Sequence, residues 1–96
     1  MQARTSTWTG SPEALEQWVA HVNAQVRPMV AGLPGSAGAY FFVDRATGSA
    51  MTLTLWETEA AAAASDAMAD ASRARTVAAT GIELVERAAY DVVSEA

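Results

Sequence analysis

Apolar positions along the chain fall into short extended-type runs and two stretches of helical recurrence, and their order predicts an architecture. Ala3 to Trp8 alternates weakly and carries Thr5, Thr7 and Trp8, residue types that favour extended structure. Thr9-Gly10 breaks that run. Ser11 then stands where a helix N-cap belongs, and Pro12 suits the first helical position because its missing N–H would be unpaired there anyway. Glu13 and Glu16 set negative charge at the positive end of the helix dipole. Leu15, Trp18, Val19, Val22, Val26 and Val30 recur at three- and four-residue spacing and make one apolar stripe. Pro28 is expected to end or kink this helix, because its ring clashes with the preceding turn.

Gly32 to Gly38 reads as a loop by composition, and Ala39 to Val43 as a second strand. Asp44-Arg45-Ala46-Thr47-Gly48 reads as a hairpin loop, with Gly48 available for a positive φ angle. A third strand, Ser49 to Trp56, alternates apolar with polar residues. A second helix is predicted from about Thr58, a suitable N-cap, to about Ala79, with Gly81 as its left-handed stop. The last strand falls within Glu83 to Val93, chiefly Glu86 to Val93.

The order β-α-β-β-α-β is the ferredoxin-like arrangement, an α+β fold in which a four-stranded antiparallel sheet carries helices on one face. In strand two, Ala39, Phe41 and Val43 point one way and Tyr40 and Phe42 the other. A solvated face is not usually so apolar. A second copy of the chain is therefore expected against it, as a homodimer joined through the sheet face.

Composition narrows the chemistry. The 96 residues suit one domain, spanning 1–96, near the small end of what a single core supports. A net charge of −5 argues against a nucleic-acid partner. All six basic residues are arginines; without lysine there is no Schiff base and no P-loop. Without cysteine there is no disulfide, thiol nucleophile or thiolate metal site, and a single histidine makes no multi-histidine centre. The amino end lacks the apolar segment of a signal peptide, and no run approaches the roughly 20 residues that span a bilayer. The expectation is a soluble cytoplasmic protein. Its alanine and arginine usage points to a GC-rich bacterial genome.

Leu33-Pro34-Gly35 with Gly38, Asp44-Arg45-Ala46-Thr47-Gly48, and Leu53-Thr54-Leu55-Trp56-Glu57-Thr58 leading into a helix carry a family resemblance. Taken with the element order, they resemble the dimeric α+β barrels of the antibiotic biosynthesis monooxygenase type over nearly the whole chain. The resemblance implies oxidation of a small aromatic or polyketide-like compound by oxygen without metal or flavin. Cofactor-free members typically pair the strand-three tryptophan with an asparagine four residues earlier; here Trp56 is present and that earlier position is Thr52. Where members carry a strand-one asparagine, this chain offers Arg4, Ser6 or nearby threonines, and Arg75 or Arg73 would take the place of a helix-two arginine. The haem-degrading branch needs a tryptophan and a histidine on helix two; Ser65 and Arg75 stand there instead, which argues against haem degradation.

The candidate site residues follow. Trp56, Arg75 and His21 are the catalytic candidates, and Trp56, Thr52, Thr54, Tyr40, Phe42 and Arg75 the substrate-binding ones. Thr52, Thr54 and Trp56 share one side of strand three and would line a mixed polar and aromatic pocket; alternatively Trp56 simply plugs the end of the sheet. His21 could act as a general base, or sit as a boundary residue beside the apolar stripe. Trp8 and Trp18 would either form an aromatic wall with Tyr40 and Phe42 or belong to the core. Asp66, Asp70, Arg73 and Arg75 read as a solvated helix face with local ion pairing. Two other functions remain open: a non-catalytic dimeric module that binds a small hydrophobic ligand or serves in assembly, and a lyase or cyclase acting on a similar molecule.

Overall fold

A computed structural model describes residues 1–96. The strands are β1 (Gln2–Thr9), β2 (Ser36–Asp44), β3 (Ser49–Trp56) and β4 (Glu83–Asp91). They form one antiparallel sheet in the order β2-β3-β1-β4, which is the ferredoxin-like topology. β3 has the bounds its alternation predicts, whereas β4 starts three residues before the expected Glu86. β1 lies between β3 and β4, its Trp8 opposite Ala50 and its Gln2 opposite Trp56. Between Thr7 and Trp8 the register with β4 slips by one, so Val85 is the extra residue of a bulge.

The first helical segment begins as its sequence dictates. Ser11 Oγ accepts the Ala14 N–H at 3.1 Å, and Pro12 opens α1 (Pro12–His21). Pro28 does not end the helix. The chain widens into a π-helical stretch over Val22–Val26, with the Arg27 N–H reaching back to the Val22 carbonyl, and resumes as α2 (Arg27–Ala31). The extra residue in that turn relieves the clash a proline ring has with the carbonyl four residues before it. It also keeps Val22 and Val30 buried on the same side of the molecule.

The second helix is divided rather than continuous. Thr58 caps α3 (Glu59–Ala64), and α4 (Asp66–Thr80) follows after Ser65. The Ser65 hydroxyl donates to the Ala62 carbonyl at 2.7 Å, a local bond that competes with the helical ladder and turns the chain there. Gly81 stops α4 in the left-handed conformation, at φ 73°, and its N–H meets the Val77 carbonyl.

Sixteen residues are buried. Trp8, Leu15, Trp18, Val22, Ala50 and Ile82 make the main cluster, gathered where β1 ends and β3 and β4 begin. On the other side of the sheet lie Tyr40, Phe42, Met51, Val85 and Tyr90, all exposed. Tyr40 and Phe42 stack there, with ring centroids 6.3 Å apart. No helix is long and apolar enough to cross a membrane.

Two glycines have unlike reasons for being glycine. Both have positive φ, but a Cβ on Gly35 would lie 2.4 Å from that of Ala61, whereas a Cβ on Gly81 meets nothing within 4 Å. Gly81→Ala is therefore expected to cost only the conformational penalty, about 1–2 kcal/mol. Gly35→Ala adds a clash that must push α3 away from the sheet and costs more. Urea unfolding of the two variants checks that ranking.

Candidate functional site

A cavity of about 310 Å³ lies between the sheet and the helices, toward the end of β3 away from the main cluster. Its floor follows from the two-residue period of the strands: Arg4, Ser6 and Trp8 of β1 face the same way as Thr52, Thr54 and Trp56 of β3. Trp18, Val22, Val26 and Val30 form an apolar wall from the first helical stretch. Ser65, Asp66, Ser72, Arg73 and Thr76 form a polar wall opposite, and Arg87 and Ala89 of β4 close the side.

The threonines of β3 orient the tryptophans. The Trp56 indole N–H donates to Thr54 Oγ1 at 3.0 Å, and the Trp8 indole N–H to Thr52 Oγ1 at 3.4 Å. Both indoles thereby have their polar atoms satisfied. Trp18 differs. Its residue is 1% exposed, its ring meets Phe41 edge-on at 6.4 Å, and its indole N–H has no acceptor. An unpaired buried donor is a costly arrangement.

Charge gathers at the polar side. Arg4 Nη1 donates to Asp66 Oδ1 at 3.2 Å, while Arg4 Nε is buried without an acceptor. Asp70 Oδ1 accepts from both Arg73 and Arg87, the latter at 2.7 Å. The Arg73 hydrogen bond, aided by the charges of Arg73 and Arg87, holds the Asp70 carboxyl below the usual carboxylate range against a smaller opposing effect of desolvation. A similar bond from Arg45 lowers Glu16, far from the cavity, where it ties α1 to the β2–β3 hairpin. No group of three or more His, Asp and Glu side chains is arranged to hold a metal ion.

The residues picked out from sequence divide cleanly. Trp56, Thr52 and Thr54 line the cavity together. Tyr40 and Phe42 do not; on a strand whose alternate residues Ala39, Phe41 and Val43 face the helices, they point to the open side, 58% and 47% exposed. The aromatic partner of Trp18 is Phe41 instead. Arg75 is exposed and off the cavity, because two residues along a helix turn a side chain about 200° from Arg73, which does line it. His21, on the last turn of α1, is half-buried and outside the lining. Asp66 and Arg73 line the cavity, and Asp66 is exposed and ion-paired there as well.

Sequence reasoning missed Asp66, Arg87 and the inner face of α4. Ser65, Ser72, Thr76 and Thr80 are all buried. Their signal was present: in a helix rich in alanine, hydroxyl residues recur at helical spacing.

No family model matches the chain. Two uncharacterised proteins of Mycobacterium tuberculosis, from different strains, are each 35% identical to it over 63 residues, 66% of this chain. The match spans only 28% of each of those proteins. Among solved structures, the monooxygenase ActVA-Orf6 of Streptomyces coelicolor, in complex with nanaomycin D, superposes at a TM-score of 0.76 with 14% identity, over 99% of this chain and 89% of that one. SnoaB, a cofactor-independent oxygenase of Streptomyces nogalater, gives 0.66 and 17%, over 98% and 94%. A candidate antibiotic biosynthesis monooxygenase of Deinococcus radiodurans gives 0.75 and 16%, over 100% and 96%. The fold is that of the antibiotic biosynthesis monooxygenase type.

The double ion pair at Asp70 gives a titration test. A carboxyl depressed in the folded state contributes stability above its unfolded pKa and loses it as pH falls through the folded value. Carbon-detected NMR titration is expected to place Asp70 below an ordinary aspartate. Arg73→Gln should return it further toward the ordinary range than Arg87→Gln does.

Proposed function

We propose that this chain binds a small aromatic, polyketide-like molecule between its sheet and its helices and oxidises it with molecular oxygen, using no metal or flavin. The observation that carries the reading is the cavity itself: Trp8, Trp18 and Trp56 line it, together with Arg4, Arg73 and Arg87. Its volume suits a molecule of two or three rings, at the lower end of ligand pockets (about 300–1,000 Å³). Two proteins of the same fold are named as a monooxygenase and a cofactor-independent oxygenase.

The chemistry asks for little machinery. A phenol or enol ionises more readily beside guanidinium groups, its proton passing to solvent. The resulting carbanion gives one electron to oxygen, and the two radicals join in a C–O bond. The peroxide anion takes a proton back from solvent, and the hydroperoxide then loses water, so a CH2 group and O2 become a carbonyl and H2O with no outside reductant. Trp56 and Trp8 position the rings and keep bulk water away from the anion.

The working unit in this proposal is a homodimer. The exposed Tyr40, Phe42, Met51, Val85 and Tyr90 form an apolar face on the side of the sheet that bears no helix, and a second copy would cover it. Thr52 favours a second reading, a binding or assembly module without turnover. It stands where cofactor-free relatives carry an asparagine, and its hydroxyl is engaged by the Trp8 indole.

Oxygen uptake with anthrone is the direct test. Trp56→Phe is expected to reduce it about tenfold or more through misplacement of the substrate, while Arg75→Ala leaves it unchanged. Binding of anthrone without any oxygen consumption would discard the oxygenase and leave the module. Sedimentation should show twice the 10.0 kDa chain mass, and Phe42→Asp should shift the protein toward single chains.

A further inference from the structure

The proposed function leaves the arginine cluster only partly used. Arg4, Arg73 and Arg87 come from β1, α4 and β4, so three elements converge to place three guanidinium groups on one side of the cavity. Only Asp66 and Asp70 form ion pairs with them. Arg4 takes Asp66, and Arg73 and Arg87 share a single oxygen of Asp70, which leaves one positive charge uncompensated. This excess occurs in a chain whose overall charge is −5, so it is a local feature rather than a reflection of composition.

We infer that the ligand of this cavity carries a carboxylate, seated on Arg4 and Arg87 with its aromatic body toward Trp8, Trp18 and Trp56. The inference rests on the reading of the cavity as an aromatic site and adds the charge of the occupant. A guanidinium presents five N–H donors in a rigid plane, and a carboxylate matches two of them at once. A neutral occupant would leave the excess charge as it is. A carboxylate pairs it. Asp66 and Asp70 do not repel it outright, because their facing oxygens are already taken by the arginines.

Isothermal titration with three naphthalene probes tests this: 2-naphthoate, its neutral analogue 2-naphthamide, and 2-naphthol. The carboxylate is expected to bind about ten- to a hundredfold more tightly than the amide, the range of a hydrogen bond to a charged group. Arg4→Gln and Arg87→Gln should each remove about tenfold or more of that preference, weakening 2-naphthoate far more than 2-naphthamide. Arg75→Gln makes the same change in net charge outside the cavity and should alter neither. Equal affinity for acid and amide, or an equal loss in Arg75→Gln, would overturn the inference while sparing the aromatic site. Acetate displacing 2-naphthoate at equal concentration would overturn it too, since the ring would then contribute nothing. If none of the three probes binds, the aromatic reading and this inference fall together.

Discussion

The packing of Trp18 and Leu15 onto Trp8, Ala50 and Ile82 sets the form of everything else. This cluster fastens the first helix to one end of the sheet, where large side chains from β1, α1 and the start of β4 meet. A chain of this size cannot fill the whole interval between sheet and helices in the same way. The interval at the other end stays open, floored by hydroxyls, indoles and an arginine. The cavity is thus the complement of the core.

α4 shows how the second half of the interval is held without apolar burial. Its inner face is serine and threonine, yet those hydroxyls do not reach across to the sheet. Thr76 donates to the Ser72 carbonyl at 2.9 Å and Thr80 to the Thr76 carbonyl at 2.7 Å, both within the helix. These two hydroxyls are satisfied within the helix, and α4 is held by packing against α1 and by ion pairs to β1 and β4. Partly exposed ion pairs are individually weak, about 0–1 kcal/mol. Their value here is directional: they fix which guanidinium faces inward.

The sequence carried the element order, the hairpin, the helix start at Ser11 and the stop at Gly81, because each depends on contacts within a few residues; the sheet topology followed from that order. It also carried Thr52, Thr54 and Trp56 as a set, since strand alternation alone puts them on one face. Tyr40 and Phe42 were assigned to the pocket on their aromatic character, although the same alternation sends them to the far side. Arg75 was preferred to Arg73 by alignment to a family pattern, and one helical step of two residues decides otherwise. The convergence of Arg4, Arg73 and Arg87 is a property of three elements that meet only in the folded chain. No local pattern announces it. The π-helical stretch was likewise hidden, for Pro28 signals a disturbance without saying how the backbone absorbs it.

The bulge at Val85 has an effect on how this chain meets its own kind. β2 and β4 are the outermost strands, and each leaves a row of backbone N–H and C=O groups without a neighbour. Beside a greasy sheet surface, such borders invite endless side-by-side growth into fibres. The surplus residue in β4 bends and twists that border, so an incoming extended segment finds its hydrogen-bonding rhythm broken after a few steps. Association across the face remains open to the molecule, whereas lateral stacking along this margin is discouraged.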